Sequence, residues 1–118
     1  MRDLSGKTAF VTGGASGIGL ALGSAFAQAG MKVMLADIES GALEAALATL
    51  QSYGPNVSGI ACDVTDPGSV ESAAAATYKA FGNVHVVCNN AGVAAGGGID
   101  NISLDNWRWV LDVNLMGV

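Results

Sequence analysis

Four short apolar runs, Thr8–Thr12, Lys32–Asp37, Val57–Cys62 and Val84–Asn89, alternate along the chain with stretches whose apolar residues recur at helical spacing. This alternation constrains the fold more than any other feature. Successive strand–helix–strand units close by right-handed crossovers, so the strands become parallel neighbours and the helices cover both faces of the sheet. The first helix is expected to bury Ile18, Leu22, Ala25, Phe26 and Ala29 and to stop at Gly30. Ser40 is the expected cap of a second helix, with Leu43, Leu47 and Leu50 inward and an end at Gly54-Pro55. Asp66-Pro67 opens a third, which turns Val70, Ala73, Ala74, Thr77 and Phe81 inward and closes at Gly82. A fourth begins after Ser103, beyond a glycine-rich stretch, Val93–Asp100, that reads as a mobile loop above the fourth strand. The expected class is α/β, a doubly wound parallel sheet with the order β-α-β-α-β-α-β-α.

Composition narrows what such a fold can serve. The chain has 118 residues and no linker or repeat beyond the βα alternation, so residues 1–118 are expected to form a single domain. With 51% hydrophobic and 13% charged residues it has the composition of a folded chain with strands covered on both sides. A net charge of −5, with only five basic residues, argues against nucleic acid as a partner. The most apolar window, Gly17–Ala36, is interrupted by Ser24, Gln28, Gly30 and Lys32 and does not read as a membrane span. Met1–Lys7 carries no leader pattern, so a cytoplasmic location and no membrane partner are expected. Cys62 and Cys88 lie inside apolar runs without metal-ligand spacing, and are expected as reduced core thiols with no metal site.

Between the first strand and the first helix stands Thr12-Gly13-Gly14-Ala15-Ser16-Gly17-Ile18-Gly19. Glycines at such a junction let the backbone approach a pyrophosphate, while the helix start offers free N–H groups and the positive end of its dipole. Gly13, Ser16, Gly17, Ile18 and Gly19 are therefore the candidate phosphate-contacting residues. No Gly-Lys-Ser/Thr follows, which separates the loop from the P-loop of nucleoside triphosphatases. Asp37 closes the second strand roughly 20 residues on, where an acid can accept from the hydroxyls of an adenosine ribose. Capping of the following helix is its competing role. A methyltransferase would hold a ribose in a similar way, but the glycine loop, preceded by Thr12 and not by an acid, favours a dinucleotide.

Thr12-Gly13, Gly17-x-Gly19, Asp37, Asp63-Val64 and Asn89-Asn90-Ala91-Gly92, in this order and spacing, resemble the N-terminal half of the short-chain dehydrogenase/reductase family. The resemblance covers essentially the whole chain. It implies a Rossmann-type sheet of strand order 3-2-1-4, with NAD as cofactor and NADP less favoured, and an alcohol or ketone as substrate. By the same resemblance Asp63 and Val64 contact the adenine, Asn90, Ala91 and Gly92 border the cofactor, and Asn114 is one of four catalytic residues. With that order, the topological switch point lies between the first and fourth strands, so Thr12-Gly13 and Asn89-Asn90 face one crevice. Asn114 is expected on a stripe with Trp107, Leu111 and Val118, where an amide needs a partner. His85, where the family often has Asp, and the extra Gly14 depart from its pattern and are given no catalytic part.

Members of the family run to about twice this length, and the chain breaks off within the fourth major helix. The resemblance places a Ser and a Tyr-x-x-x-Lys pair in the other half. Neither Tyr53 nor Tyr78 is followed by Lys at that spacing, so these 118 residues alone are expected to be inactive. At full length a homo-oligomer is implied, and apolar residues such as Trp109 and Leu115 are expected at the surface without it. The competing reading is a non-catalytic nucleotide-binding or oligomerising module.

Overall fold

The computed structural model describes residues 2–118; Met1 lies outside the described residues. The elements are β1 (Thr8–Thr12), α1 (Gly17–Gln28), β2 (Lys32–Asp37), α2 (Ser40–Thr49), β3 (Val57–Ala61), α3 (Pro67–Phe81), β4 (Val86–Cys88) and α4 (Leu104–Leu111). A 3-10 turn, Gln51–Asn56, precedes β3, and a π-helical turn, Asp112–Met116, continues α4. All strand pairs are parallel and the sheet order is β3-β2-β1-β4, the Rossmann-type order expected. In register, Val11 stands between Leu35 of β2 and Cys88 of β4.

Strand alternation sends the side chains of β1 and β2 into two cores. On one face Ala9, Val11, Val33 and Leu35 pack with Ala27 of α1 and with Leu43, Ala46 and Leu50 from α2 and its end. On the other, Phe10, Met34 and Ala36 pack with Cys62 and with Ala73 of α3. Every residue of β1 is buried, whereas the edge strands β3 and β4 are only partly covered. β4 is accordingly shorter than the apolar run Val84–Asn89 suggests. His85 nevertheless extends its pairing, donating from its backbone N–H to Thr8 O at 2.9 Å and accepting from Thr8 N–H on Nδ1 at 3.0 Å. That is a structural part, in line with the reading of this histidine.

Several local expectations are corrected. Helix α1 buries Gly19, Gly23 and Ala27, while Ile18 is 75% exposed and Ala25 and Ala29 face solvent. The reason is closeness: a Cβ on Gly23 would stand 2.6 Å from Leu35 Cδ2, so the helix meets the sheet along its smallest residues. Ser40 is the first residue of α2, not its cap; Glu39 takes that place, and its N–H donates to Asp37 Oδ1 at 3.0 Å. Asp66 does cap α3, accepting from Gly68 N–H at 3.0 Å, but Val70 is exposed instead of turned inward. Along α4 and its π turn, Trp107, Leu111, Asn114 and Val118 are exposed, and Val113 is the buried residue.

Candidate functional site

The C-terminal ends of β1 and β4 part into a cleft of about 590 Å³, bordered by the glycine loop, the end of β2, the segment after β3 and α4. This is the crevice a doubly wound sheet opens at its topological switch point. The β1–β4 side of the cleft is knit together by Thr12. The Thr12 hydroxyl oxygen accepts from the N–H groups of Asn90 and Ala91, both at 3.0 Å, and donates to Cys88 O at 3.4 Å. In return the Asn90 amide donates from Nδ2 to Thr12 O at 3.0 Å and to Gly13 O at 3.3 Å. The two strand ends are therefore bonded into one rim. The sequence signal for this bonding role is the position of Thr12, last in a strand beside the switch point.

Thr12 is 5% exposed, and removing its hydroxyl leaves the Ala91 N–H without an acceptor, whereas the Asn90 N–H keeps Cys88 O at 2.9 Å. Thr12→Val is expected to cost about 1–3 kcal/mol of stability, and Thr12→Ser less than about 1 kcal/mol. Urea unfolding of both variants checks this; equal losses would show that packing, not the hydroxyl, matters.

The glycine loop is packed to its limit. Gly13 has φ +62°, and a Cβ there would lie 2.9 Å from Ala91 Cα; one on Gly19 would lie 2.0 Å from Gly13 O and 2.6 Å from Asn90 Nδ2. Only hydrogens fit at these positions, and the start of α1 is thereby drawn to the rim. Ser16 makes no side-chain bond to the first turn of α1, and the amides of Gly17, Ile18 and Gly19 lead that helix. Gly13, Ser16, Gly17 and Ile18 line the cleft, while Gly19 is buried behind Gly13. The extra Gly14 is buried against Val11 O and Leu35. Free helix-start donors and a positive dipole end form a site for an anion.

Asp37 stands beside this cradle. Its carboxylate accepts from Ala15 N–H and from Glu39 N–H, each at 3.0 Å, and so ties the glycine loop to the end of β2. Asp37, Ile38 and Glu39 all line the cleft. Two carboxylates next to an anion site suit a neutral diol and disfavour a second anion.

Of the pair after β3, Val64 lines the cleft and Asp63 does not: its carboxylate accepts from the Thr65 N–H at 2.9 Å and the Thr65 hydroxyl at 2.7 Å. Asn90, Ala91 and Gly92 all border the cleft, whereas Asn89 opens on a second, more apolar cleft of about 650 Å³ on the α3 side. Asn114 is exposed but not free. Its Oδ1 accepts from Val93 N–H and its Nδ2 donates to Val93 O, both at 2.8 Å, so the side chain clasps the wall just past Gly92. The expected partner of this amide is thus backbone, found at the surface and not within an apolar stripe.

Cys62, Val93, Trp109 and Val113 complete the lining and were not singled out for the site. Burial pushes the Cys62 thiol up, with Asp63 and Asp66 adding to the effect and a hydrogen bond with Ser69 opposing it. Burial also raises Cys88. Both are free thiols held in the neutral, weakly reactive form at pH 7. No helix among the described residues is long and apolar enough to cross a membrane.

Comparison with known proteins follows the same outline. The family model described as short chain dehydrogenase matches residues 7–118. A 1-deoxy-11-beta-hydroxypentalenate dehydrogenase of Streptomyces arenae is 44% identical over 110 residues, covering 92% of this chain and 39% of that protein. The D-threitol dehydrogenase of Mycolicibacterium smegmatis is 41% identical, covering 97% of this chain and 44% of its own length. The chain thus spans about two fifths of these curated relatives. Among solved structures, a short chain dehydrogenase/reductase from Burkholderia phymatum in complex with NAD superposes with a TM-score of 0.95 at 44% identity, over 99% of this chain and 42% of that one. A 3-ketoacyl-(acyl-carrier-protein) reductase from Brucella melitensis complexed with NADH gives 0.91 at 28% identity, over 98% and 47%.

Proposed function

Because this chain belongs to the short-chain dehydrogenase family, we propose that it is the NAD-binding part of an oxidoreductase that moves hydride between nicotinamide and an alcohol or carbonyl substrate. The observation that carries this reading is the convergence of Gly13, Asp37 and Asn90, from the ends of three strands, on one cleft. A cradle in which a Cβ on Gly19 would fall 2.0 Å from Gly13 O fits a backbone-bound pyrophosphate, and the related NAD and NADH complexes support it.

In this reading the free amides at the start of α1, Gly17 to Gly19, hold the pyrophosphate, with Gly13 and Ser16 beside it, and Asp37 accepts from the adenosine ribose hydroxyls. Val64 borders the adenine, while Asp63 holds the turn that presents it through its bonds to Thr65. Asn90, Ala91 and Gly92 form the wall toward the reacting end. Asn114 fixes Val93 at that wall, and so positions the backbone along which a substrate oxygen would lie. Bound NAD supplies the hydride acceptor. A proton must also leave the alcohol oxygen, and Tyr53 and Tyr78 are followed four residues on by Val57 and Gly82, not by Lys. The proton-transfer groups, a Ser and a Tyr-x-x-x-Lys, are accordingly assigned to the further length that relatives possess. The exposed Leu111 and Leu115 favour self-association of the whole protein in the cytoplasm.

The test is a pair of measurements. The 118-residue chain should bind NAD in a calorimetric titration yet form no NADH at 340 nm with a panel of alcohols, while the protein extended beyond Val118 does both. Turnover by the 118 residues alone would overturn the assignment of the proton-transfer groups, and absence of NAD binding would overturn the cofactor.

A further inference from the structure

Trp109 and Val113 stand one turn apart on the same side of the last helical segment, and both line the cleft. Two contacts hold this segment in place. Asn114 clasps Val93 with two bonds of 2.8 Å, and Gly117 is set so tightly against the segment after β3 that a Cβ would stand 2.8 Å from Val64 Cγ2. The helix therefore closes against the end of β3 as well as against β4. Val113 is 8% exposed and serves as packing, but Trp109 leaves 46% of its surface open. On the β2 side the next residue after Asp37 is Ile38, 61% exposed and also lining the cleft. Ile38 at the end of β2, Val64 after β3 and Trp109 from the helical segment thus add open apolar surface to the cleft, while the anion donors lie at β1. Flat aromatic groups bind such surfaces by stacking and by removing apolar area from water.

We infer that Trp109 contacts the adenine base of the bound dinucleotide, as a binding residue that sets affinity from the adenosine side; this rests on the nucleotide reading above. The direction follows from strand order. The pyrophosphate sits over β1, Asp37 takes the ribose over β2, and a base carried one step further along the sheet reaches the end of β3, where Val64 and the α4 segment meet. Trp107, on the same helix, does not line the cleft and provides the internal control.

The purified protein and its Trp109→Ala, Trp109→Phe and Trp107→Phe variants are titrated with NAD and with ADP-ribose by calorimetry. Loss of a base–aromatic contact of this kind corresponds to roughly 5- to 150-fold in affinity, and a half-open indole belongs at the lower end, about 5- to 20-fold. Trp109→Ala should weaken NAD and ADP-ribose by the same factor, Trp109→Phe should recover most of the loss, and Trp107→Phe should change neither. Melting temperatures of the variants within a few degrees of the parent show that the fold is kept. The change in tryptophan emission on NAD binding should be lost mainly in Trp109→Phe. Undiminished NAD affinity in Trp109→Ala overturns the inference, as does a loss seen with NAD but not with ADP-ribose, which would place Trp109 at the nicotinamide end. A parent that binds neither ligand overturns the nucleotide reading itself.

Discussion

Gly19→Ala is expected to weaken NAD binding by roughly 10²- to 10⁴-fold. The added methyl would meet Gly13 O at 2.0 Å and Asn90 Nδ2 at 2.6 Å, both far inside contact distance and both part of the rim. The far end of a flexible side chain could move aside cheaply; a backbone carbonyl bonded to Asn90 cannot. Relief must come from moving α1 away from the loop, which carries the first-turn amides out of reach of a phosphate. Two charge-assisted bonds lost at about 1.5–3 kcal/mol each give the stated range. Gly41→Ala is the matched control, because a Cβ there meets nothing within 4 Å and α2 lies away from the cleft lining. Calorimetry on both variants, with circular dichroism to confirm folding, decides the point. A folded Gly19→Ala that binds NAD like the parent would show that the loop is not the cradle.

The second large effect concerns cofactor choice. NAD should bind roughly 30- to 1,000-fold more tightly than NADP, a preference of about 2–4 kcal/mol from lost hydrogen bonds and charge repulsion. Asp37 and Glu39 both line the cleft, and no Lys or Arg among the described residues does. A 2′-phosphate would meet carboxylates where it needs a cation. Asp37 also accepts from Ala15 N–H, so its removal disturbs the glycine loop as well as the ribose contact. Two variants separate these parts. Asp37→Asn keeps an acceptor for the loop and removes the charge, so it should narrow the preference mainly by improving NADP. Asp37→Ala should narrow it while weakening both cofactors. Dissociation constants for both cofactors on all three proteins test this; equal affinities in the parent would contradict the role given to Asp37.

The strands were legible in the sequence because β1 and β2 are covered on both faces and read as uninterrupted apolar runs, while their order came from the family resemblance. The glycine loop, Asp37 and Asn90 were legible because their positions at strand ends follow from that order. The buried face of α1 was not. Hydrophobic periodicity points to Ile18 and Phe26, but the distance between helix and sheet is set by Gly19 and Gly23, which no apolarity count weighs as core. Asn114 was expected among apolar neighbours and is instead exposed, its amide partnered by the Val93 backbone across 21 residues of loop and helix. Val113 and Trp109 went unseen because the last helical segment is held at the cleft by tertiary contacts with no local signature, Asn114 on Val93 and Gly117 on Val64. The i, i+4 pairing of Trp109 with Val113 is the one sequence signal they shared.

The most direct test of the account is a crystal structure of the protein soaked with NAD. The predicted result has the pyrophosphate on the amides that open α1, Gly17 to Gly19, the adenosine ribose on Asp37, and the nicotinamide along Asn90 to Val93. Density for the dinucleotide in the apolar cleft beside Asn89 and Val87, or with its phosphates away from the start of α1, would contradict it.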